Sequence, residues 1–455
     1  MRIIVLCLLL FVLIPTFATH LRSGEILVRH KSSNTVFVIV RVYTSSYNTS
    51  VPMGGDESVL LFGDGASMTI PETASAPMGD DFPYVGIAEF QTEHTYSSAG
   101  KYTISFSEPN RNEGILNFDN SVATTFYIET TFTLDPTLPF FETPTSLFPP
   151  FFTVNKNEPL AISIAAEDNQ GSELRYRVVT PLSGKNRPVV NYQLTENFRV
   201  DEFNGLVTWD NVFMGLPRSG EYLFAIQIDQ YATINGTRRI IGSIHRDVQI
   251  VLHDEENTDG RKQSDNLDEN NLRILPGDSR SWKVYTSYDA LDEADIEVKT
   301  TLLQNNIHFD TYDSTTASGP MKVTLVTITS DESLVRDFPY VVAVRSRFGN
   351  GASTTWKDAS YAVFTTEADP VLHSEAILNT NLLFPNPGAN KVRINDQLNA
   401  IRRIEMIDSR GQIFLAIQTM AGNEIDLSSV PAGMYVVHGK DKAGRIVAVT
   451  RFIKD

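Results

Sequence analysis

Apolar and polar side chains alternate at a period of two through most of this sequence, and that periodicity decides the fold class. In KYTISF, Tyr102, Ile104 and Phe106 fall on one face and Lys101, Thr103 and Ser105 on the other. EYLFAIQID repeats the pattern with Tyr222, Phe224, Ile226 and Ile228. TVFVIVRVY (35–43), KVTLVTI (322–328) and YVVAVRSRF (340–348) follow it with β-branched and aromatic residues. Successive side chains of a strand point to opposite faces, so these runs read as half-buried strands. Gly, Asn, Asp and Pro punctuate them at short intervals, the pattern of β-sandwiches. Helical patterning is confined to DALDEADIEVK (289–299) and SDESLVRDF (330–338), each enough for a turn or two. The chain is expected to be all-β.

Composition shifts divide it. The stretch 253–271 carries seven acidic residues against two basic ones and a single apolar residue, Leu267. It reads as a solvated, extended linker. The Pro/Thr/Phe-rich 134–152 reads as stiffer, with its aromatics packed between domains. A third joint, 365–381, precedes the elbow Pro385-Asn386-Pro387. Proline fixes φ and cannot donate to a ladder, so this elbow sets the final unit apart. The expected organisation is a signal peptide at 1–18, β domains at 19–136 and 137–253, an acidic linker at 254–271, a third sandwich at 272–367, a linker at 368–381 and a small β-sandwich at 382–455. The pentapeptide DFPYV occurs at 81–85 and 337–341; it reads either as chance or as an echo of tandem domains.

Residues 1–18 have the layout of a cleavable secretory signal: Arg2, an apolar run from Ile3 to Leu13, Pro15, then Thr16-Phe17-Ala18. No later segment has the length of a transmembrane helix. The only cysteine, Cys7, lies in that signal. The mature chain therefore has no thiol for disulfides, metals or nucleophilic catalysis, and its domains must hold by core burial. The net charge of −17 argues against nucleic acid and anionic membranes as partners.

Catalytic patterns are missing from the sequence: there is no H-E-x-x-H and no G-x-S-x-G, and the eight histidines are scattered. Trp209, Trp282 and Trp356 read either as core residues or as carbohydrate-stacking platforms.

Four resemblances add to this reading. Phe62-Gly63-Asp64-Gly65 with His94-Thr95-Tyr96 and Gly100-Lys101-Tyr102 resembles a PKD-type immunoglobulin-like domain. There Asp64 is expected to shape a turn and His94 to hydrogen-bond near it, with a ligand role for either as the other reading. AAEDNQGSELRYRV (165–178), FRVDEFNGLVTW (198–209) and the following GEY resemble bacterial cadherin-like domains, in which acidic residues cluster to bind calcium. Asp168 and Gly171 match, Gln170 and Ser172 replace two acids, and Glu173 lies out of register. Asp168, Glu173 and Asp201 are the candidate calcium ligands, with a solvated acidic loop as the other reading. Calcium is the one cofactor suggested. THLRSGEILVRH (19–30) and the strand pair closing in IIGSIHRDVQIVL are similar to large gliding-motility-associated surface proteins of Bacteroidota; Thr19, His20, Gly24 and Glu25 match their opening.

The last unit resembles the type A C-terminal sorting domain of the type IX secretion system. The residues that carry this are Pro385, Asn386, Pro387, Arg410-Gly411, Ile425-Asp426-Leu427, Gly433-Met434-Tyr435 and Arg451-Phe452-Ile453-Lys454. The fold implied is tandem immunoglobulin-like β-sandwich domains followed by a small sorting sandwich. The implied partners are the type IX translocon and its sorting-domain peptidase, and the implied location is the outer surface or the medium. The expected function is structural or adhesive and non-enzymatic, toward surface glycans or other surface proteins. The alternative is an accessory carbohydrate-binding protein of a polysaccharide-degrading system.

Overall fold

The computed structural model describes most of residues 21–455. The segments 1–20, 46–51, 136–141, 210–217, 255–260, 289–292, 350–353, 366–382, 395–400, 409–412, 419–423 and 441–445, with a few single positions, lie outside the description. The expected signal peptide is among them. Residues 1–366 form one compact unit and 367–455 another. Every described element is a β-strand or a one-turn 3-10 helix.

Strands Leu21–Ser32, Thr35–Ser45, Val85–Thr95, Gly100–Glu108 and Phe126–Leu134 surround the first core. Val36, Val38, Val40 and Val42 show why: each alternate residue of one strand is fully buried there. Leu21–Ser32 differs, because its first eight residues are buried on both faces. Its outer face is covered by the next sandwich.

That second sandwich is built on a long hairpin, Gly220–Ile234 and Thr237–His253. The second strand of the hairpin serves two domains. Gly242–His245 pair with Phe132–Glu129, and Gly24 pairs with Asp247. Further along, Gln249–His253 run parallel to Phe151–Asn155. One twelve-stranded sheet therefore joins strands from 21–134 with strands from 151–253, where separate domains were expected. Phe198–Val200, Leu160–Ser163 and Leu206–Trp209 form the facing sheet, and Phe152, Phe224, Ile226, Val248 and Trp209 fill the space between.

The third sandwich has two four-stranded sheets. Lys262–Asp265, Ser279–Ser287, Gly319–Thr329 and Ile307–Thr316 form one, and Asn271–Arg273, Thr355–Phe364, Tyr340–Phe348 and Ala294–Thr300 the other. Trp282, Val326, Val344 and Tyr361 lie in its core. The stretch expected to be a solvated linker thus supplies one edge strand, Lys262–Asp265, and the first residue of the other, Asn271–Arg273. Its polar side chains bond across the sandwich: Gln263 Nε2 donates to Val344 O (3.2 Å) and Asp265 accepts from Tyr361 Oη (2.7 Å). The helical turn expected within 289–299 is instead a strand from Ala294, paired with Tyr340–Phe348; residues 289–292 lie outside the description. The turn expected within 330–338 is the 3-10 helix Glu332–Leu334, capped by Asp331.

The second unit is a small sandwich. Leu383–Phe384, Lys391–Ile394 and Glu424–Asp426 make one sheet. Ile413–Gln418, Arg403–Ile407, Gly433–Lys440 and Ile446–Lys454 make the other, in that spatial order. Val392, Ile404, Met406, Tyr435, Val437 and Phe452 lie between them.

Candidate functional site

The buried polar chemistry of the first unit is concentrated at two joints. At the first, Glu25 is fully buried and accepts from Arg41 Nη1 (2.9 Å), Arg246 Nη1 (3.1 Å) and Ser146 Oγ (2.9 Å). Beside it Arg111 pairs with Asp247, both without solvent contact. Arg22 Nη2 reaches Glu221 Oε1 at 3.0 Å, and Gln249 Nε2 donates to Glu221 Oε2 at 2.7 Å. The Arg22 and Arg111 guanidinium groups also lie over Phe151 (4.9 Å) and Phe126 (5.2 Å). Burial pushes the Glu221 carboxyl up, against the opposing pull of Arg22, Asn112 and Gln249.

This cluster gives a physical reason for the two motifs, 19–30 and 240–252, that resemblance alone had coupled. They are neighbours in one ladder, and opposite charges from each meet in the interior. Gly24 permits the approach: a Cβ there would stand 3.0 Å from Arg41 O and 3.1 Å from the Ile128 and Phe126 side chains.

At the second joint Arg345 and Asp358 form a bidentate pair at 3.0 and 2.8 Å, both essentially buried. Asp358 Oδ2 also accepts the backbone N–H of Ser163 from the second sandwich (2.7 Å). The Arg345 guanidinium lies 3.7 Å from the Phe148 ring centroid and 5.1 Å from that of Trp356. Thr153 Oγ1 donates to Thr354 O (2.6 Å), and Ser360 Oγ to Asn204 O (2.8 Å). Leu147 and Phe148 pack with Ala165, Val341 and Ala343, and Phe151 with Tyr43 and Val85, so these side chains of 134–152 lie between domains, whereas Phe152 belongs to the core of the second sandwich. Phe82, from the first DFPYV, stacks on Trp356 at 5.2 Å. Phe338, from the second, lines a groove of about 600 Å³ with Gln170–Glu173, Tyr231 and Arg238.

The three candidate calcium ligands are placed apart and are already engaged. Asp168 accepts from Gln230 Nε2 (3.2 Å) and from the backbone N–H groups of Gln170 (3.3 Å) and Ser172. Glu173 accepts from Arg238 Nε and Nη2 (2.6 and 2.9 Å) and from Arg175 Nε (2.6 Å). Burial pushes its carboxyl up, but Arg238 and Arg175 more than offset this and hold it below the ordinary range. Asp201 closes a turn, accepting from the backbone N–H groups of Phe203 (2.8 Å) and Asn204 (3.0 Å). Among the described residues no three His, Cys, Asp or Glu side chains are grouped to hold a metal. Calcium needs several converging free oxygens, and this donor set does not fit it. The thermal midpoint of the protein is accordingly expected to be the same in millimolar calcium and in excess EDTA. A calcium-dependent rise would show that these carboxylates exchange their present partners for the ion.

Asp64 shapes a turn, and His94, in the strand Val85–Thr95, bonds to it. His94 Nε2 and Asp64 Oδ2 are 2.8 Å apart, Ala66 N donates to Asp64 Oδ1 (3.0 Å), and His94 stacks on Phe62 at 4.0 Å. Gly63 is obligatory here, since φ is +86° and a Cβ would fall 2.5 Å from Thr103 O.

In the second unit, Asn386 does work that only its side chain can do. Its Nδ2 donates to Arg451 O (2.7 Å), and its Oδ1 accepts from Ile453 N (3.0 Å). Gly388 continues the pairing, donating to Ile453 O (3.0 Å) and accepting from Asp455 N (3.1 Å). The elbow thus caps the outer edge of the last strand, which otherwise presents unpaired backbone groups. Gly433 pairs with Lys454 across the ladder, and Tyr435 with Phe452, both rings turned inward. Tyr435 Oη donates to Pro431 O (3.0 Å), and Lys454 Nζ to Asp455 O (2.7 Å). Pro385, Pro387 and Gly411 lie outside the described residues. Asn386→Ala removes two hydrogen bonds and should lower the stability of this unit by about 1–2 kcal/mol. Denaturant unfolding followed in its peptides by hydrogen exchange checks this; an unchanged midpoint would mean that the cap is unimportant.

These features define an all-β chain of fused sandwiches followed by a separate small sandwich with a capped terminal strand. Residues 382–454 match the family of the secretion system C-terminal sorting domain. The chain therefore carries a type IX sorting domain and is exported to the cell surface or the medium. No helix among the described residues is long and apolar enough to cross a membrane. Among curated proteins none matches the sequence. Among solved structures, the Dpr2 Ig1-Ig2 pair in complex with DIP-Theta Ig1-Ig3 is similar at 12% identity, over 72% of this chain and 94% of that one, with a TM-score of 0.17. The tandem Ig repeats of Dlar are similar at 10% identity, over 49% of this chain and 97% of that one, with a TM-score of 0.19. Neither likeness says more of this chain.

Proposed function

We propose that this protein is a non-catalytic structural or adhesive component of the cell surface, delivered by its sorting unit. The observation that supports it most is where the polar chemistry lies. Glu25, Arg111, Arg246, Asp247, Arg345 and Asp358 are buried where sandwiches meet. Where side chains of these types serve catalysis they line an accessible cleft; here they bind one domain to the next. Trp209, Trp282 and Trp356 are buried too, so none is a platform for sugar stacking. Among the described residues the exposed large aromatics are Phe309 and Tyr312, three residues apart and so on opposite faces of one strand. That arrangement gives the carbohydrate-accessory reading no support.

The partners in this reading are the type IX translocon, the peptidase that removes sorting units, and a glycan or protein on a neighbouring surface. The test compares producing cells that carry the full chain, a chain ending before residue 382, and no chain. Only full-chain cells should display the protein to externally added protease and attach to a surface more firmly than cells without it. Display with no gain in attachment would refute the adhesive role. Display of the shortened chain would refute delivery by the sorting unit.

A further inference from the structure

We propose that the secretion machinery reads the sorting unit through an outward apolar stripe made by Met434, Val436 and Ile453, with Ile407 at its margin. This rests on the reading of 382–455 as an export address and specifies the surface that address presents.

Alternation along two adjacent strands builds the stripe. Tyr435, Val437 and Phe452 point into the core, which turns Met434, Val436 and Ile453 outward. Met434 lies directly opposite Ile453, and Ile407 directly opposite Val436, so all four share one face. Met434 is 49% exposed, Val436 43% and Ile453 41%. These are high values for large apolar side chains at neighbouring ladder positions. A contiguous apolar patch on a soluble domain marks a surface meant to be covered. Its rim is polar: Glu405, on the same face, pairs with Arg403 (3.0 Å) and Lys440 (2.8 Å). An apolar centre inside a polar rim is how protein interfaces are built.

The cap described above excludes the other way of reading this strand. Strand addition needs free backbone groups along an edge. Between Arg451 and Asp455 those groups are taken by Asn386 and Gly388. Tyr435 is also committed inward. A partner that meets this end of the unit therefore meets the face and the residues that alternate with Tyr435 and Phe452. The occupant is the machinery itself, because export is the step for which the unit is carried.

The test substitutes Met434→Thr, Val436→Thr and Ile453→Thr together in the full chain. Threonine keeps strand propensity while removing the apolar surface. The exported fraction should fall by about tenfold or more, with the protein accumulating in the periplasm at an unchanged melting temperature. Val436→Lys, a single change at an exposed position, should reduce export as well and guards against misfolding of the triple variant. Export of both folded variants at the level of the unsubstituted chain, while a chain ending before 382 is retained, would overturn the proposal and leave the sorting reading standing. Export of the shortened chain would overturn both. A dimer that the triple variant converts to monomer, with export unchanged, would assign the face to a second copy instead.

Discussion

Asp358→Ala should destabilise the first unit by about 3–5 kcal/mol, the cost of leaving a buried charge without its partner. The substitution strands the Arg345 guanidinium in the interior, and it also removes the acceptor of the Ser163 N–H. Two sandwiches lose a shared group at once. Asp358→Asn should cost less, because an amide oxygen can still accept from Ser163. The double variant Arg345→Leu/Asp358→Leu should regain much of the loss, since an apolar pair of similar volume needs no desolvated charge. Denaturant unfolding of the three variants decides it. An Asp358→Ala loss within about 0.5 kcal/mol of zero, the range of ordinary surface changes, would mean that water reaches this pair.

The second large effect is expected at Glu25. Its carboxylate holds Arg41, Arg246 and Ser146 together at zero exposure. Arg41 has a second partner, Glu89, near the surface. Arg246 is 1% exposed and cannot turn to solvent. Glu25→Ala should therefore cost about 3–5 kcal/mol, chiefly through Arg246. Arg246→Met added to Glu25→Ala should restore part of it, a coupling that a double-mutant cycle measures directly. Additive losses would show that the two side chains do not act as a pair.

Much of this architecture was legible because sheets write themselves at period two, and because the sorting unit carries its own residues in order. The joints were not. YVVAVRSRF places Arg345 and Arg347 on the same face by alternation, yet Arg345 is buried in the second joint while Arg347 pairs with the exposed Asp295. Nothing local separates a charge that meets solvent from one that meets another domain. The same ambiguity hid the edge strand Lys262–Asp265 in 254–271. Gln263 and Asp265 look like solvated linker residues, but each finds its partner on the opposite sheet. Asp168, Glu173 and Asp201 are each engaged by nearer partners for a related reason. Acidic residues close in sequence imply convergence only if nothing nearer satisfies them, and here backbone amides and two arginines do. The capping role of Asn386, a residue named in the sorting motif, was legible in principle, since an Asn between two prolines has no ladder role of its own and its amide can imitate one.

The most direct test is hydrogen exchange on the full-length protein across a denaturant series, read in peptides from 21–45, 151–163, 237–253 and 340–364. These peptides span both joints. Loss of protection at one common denaturant concentration is the result expected of three sandwiches bound by buried ion pairs into a single cooperative unit. Separate transitions for 21–45 and 340–364 would contradict it, and would make the chain a string of independent domains.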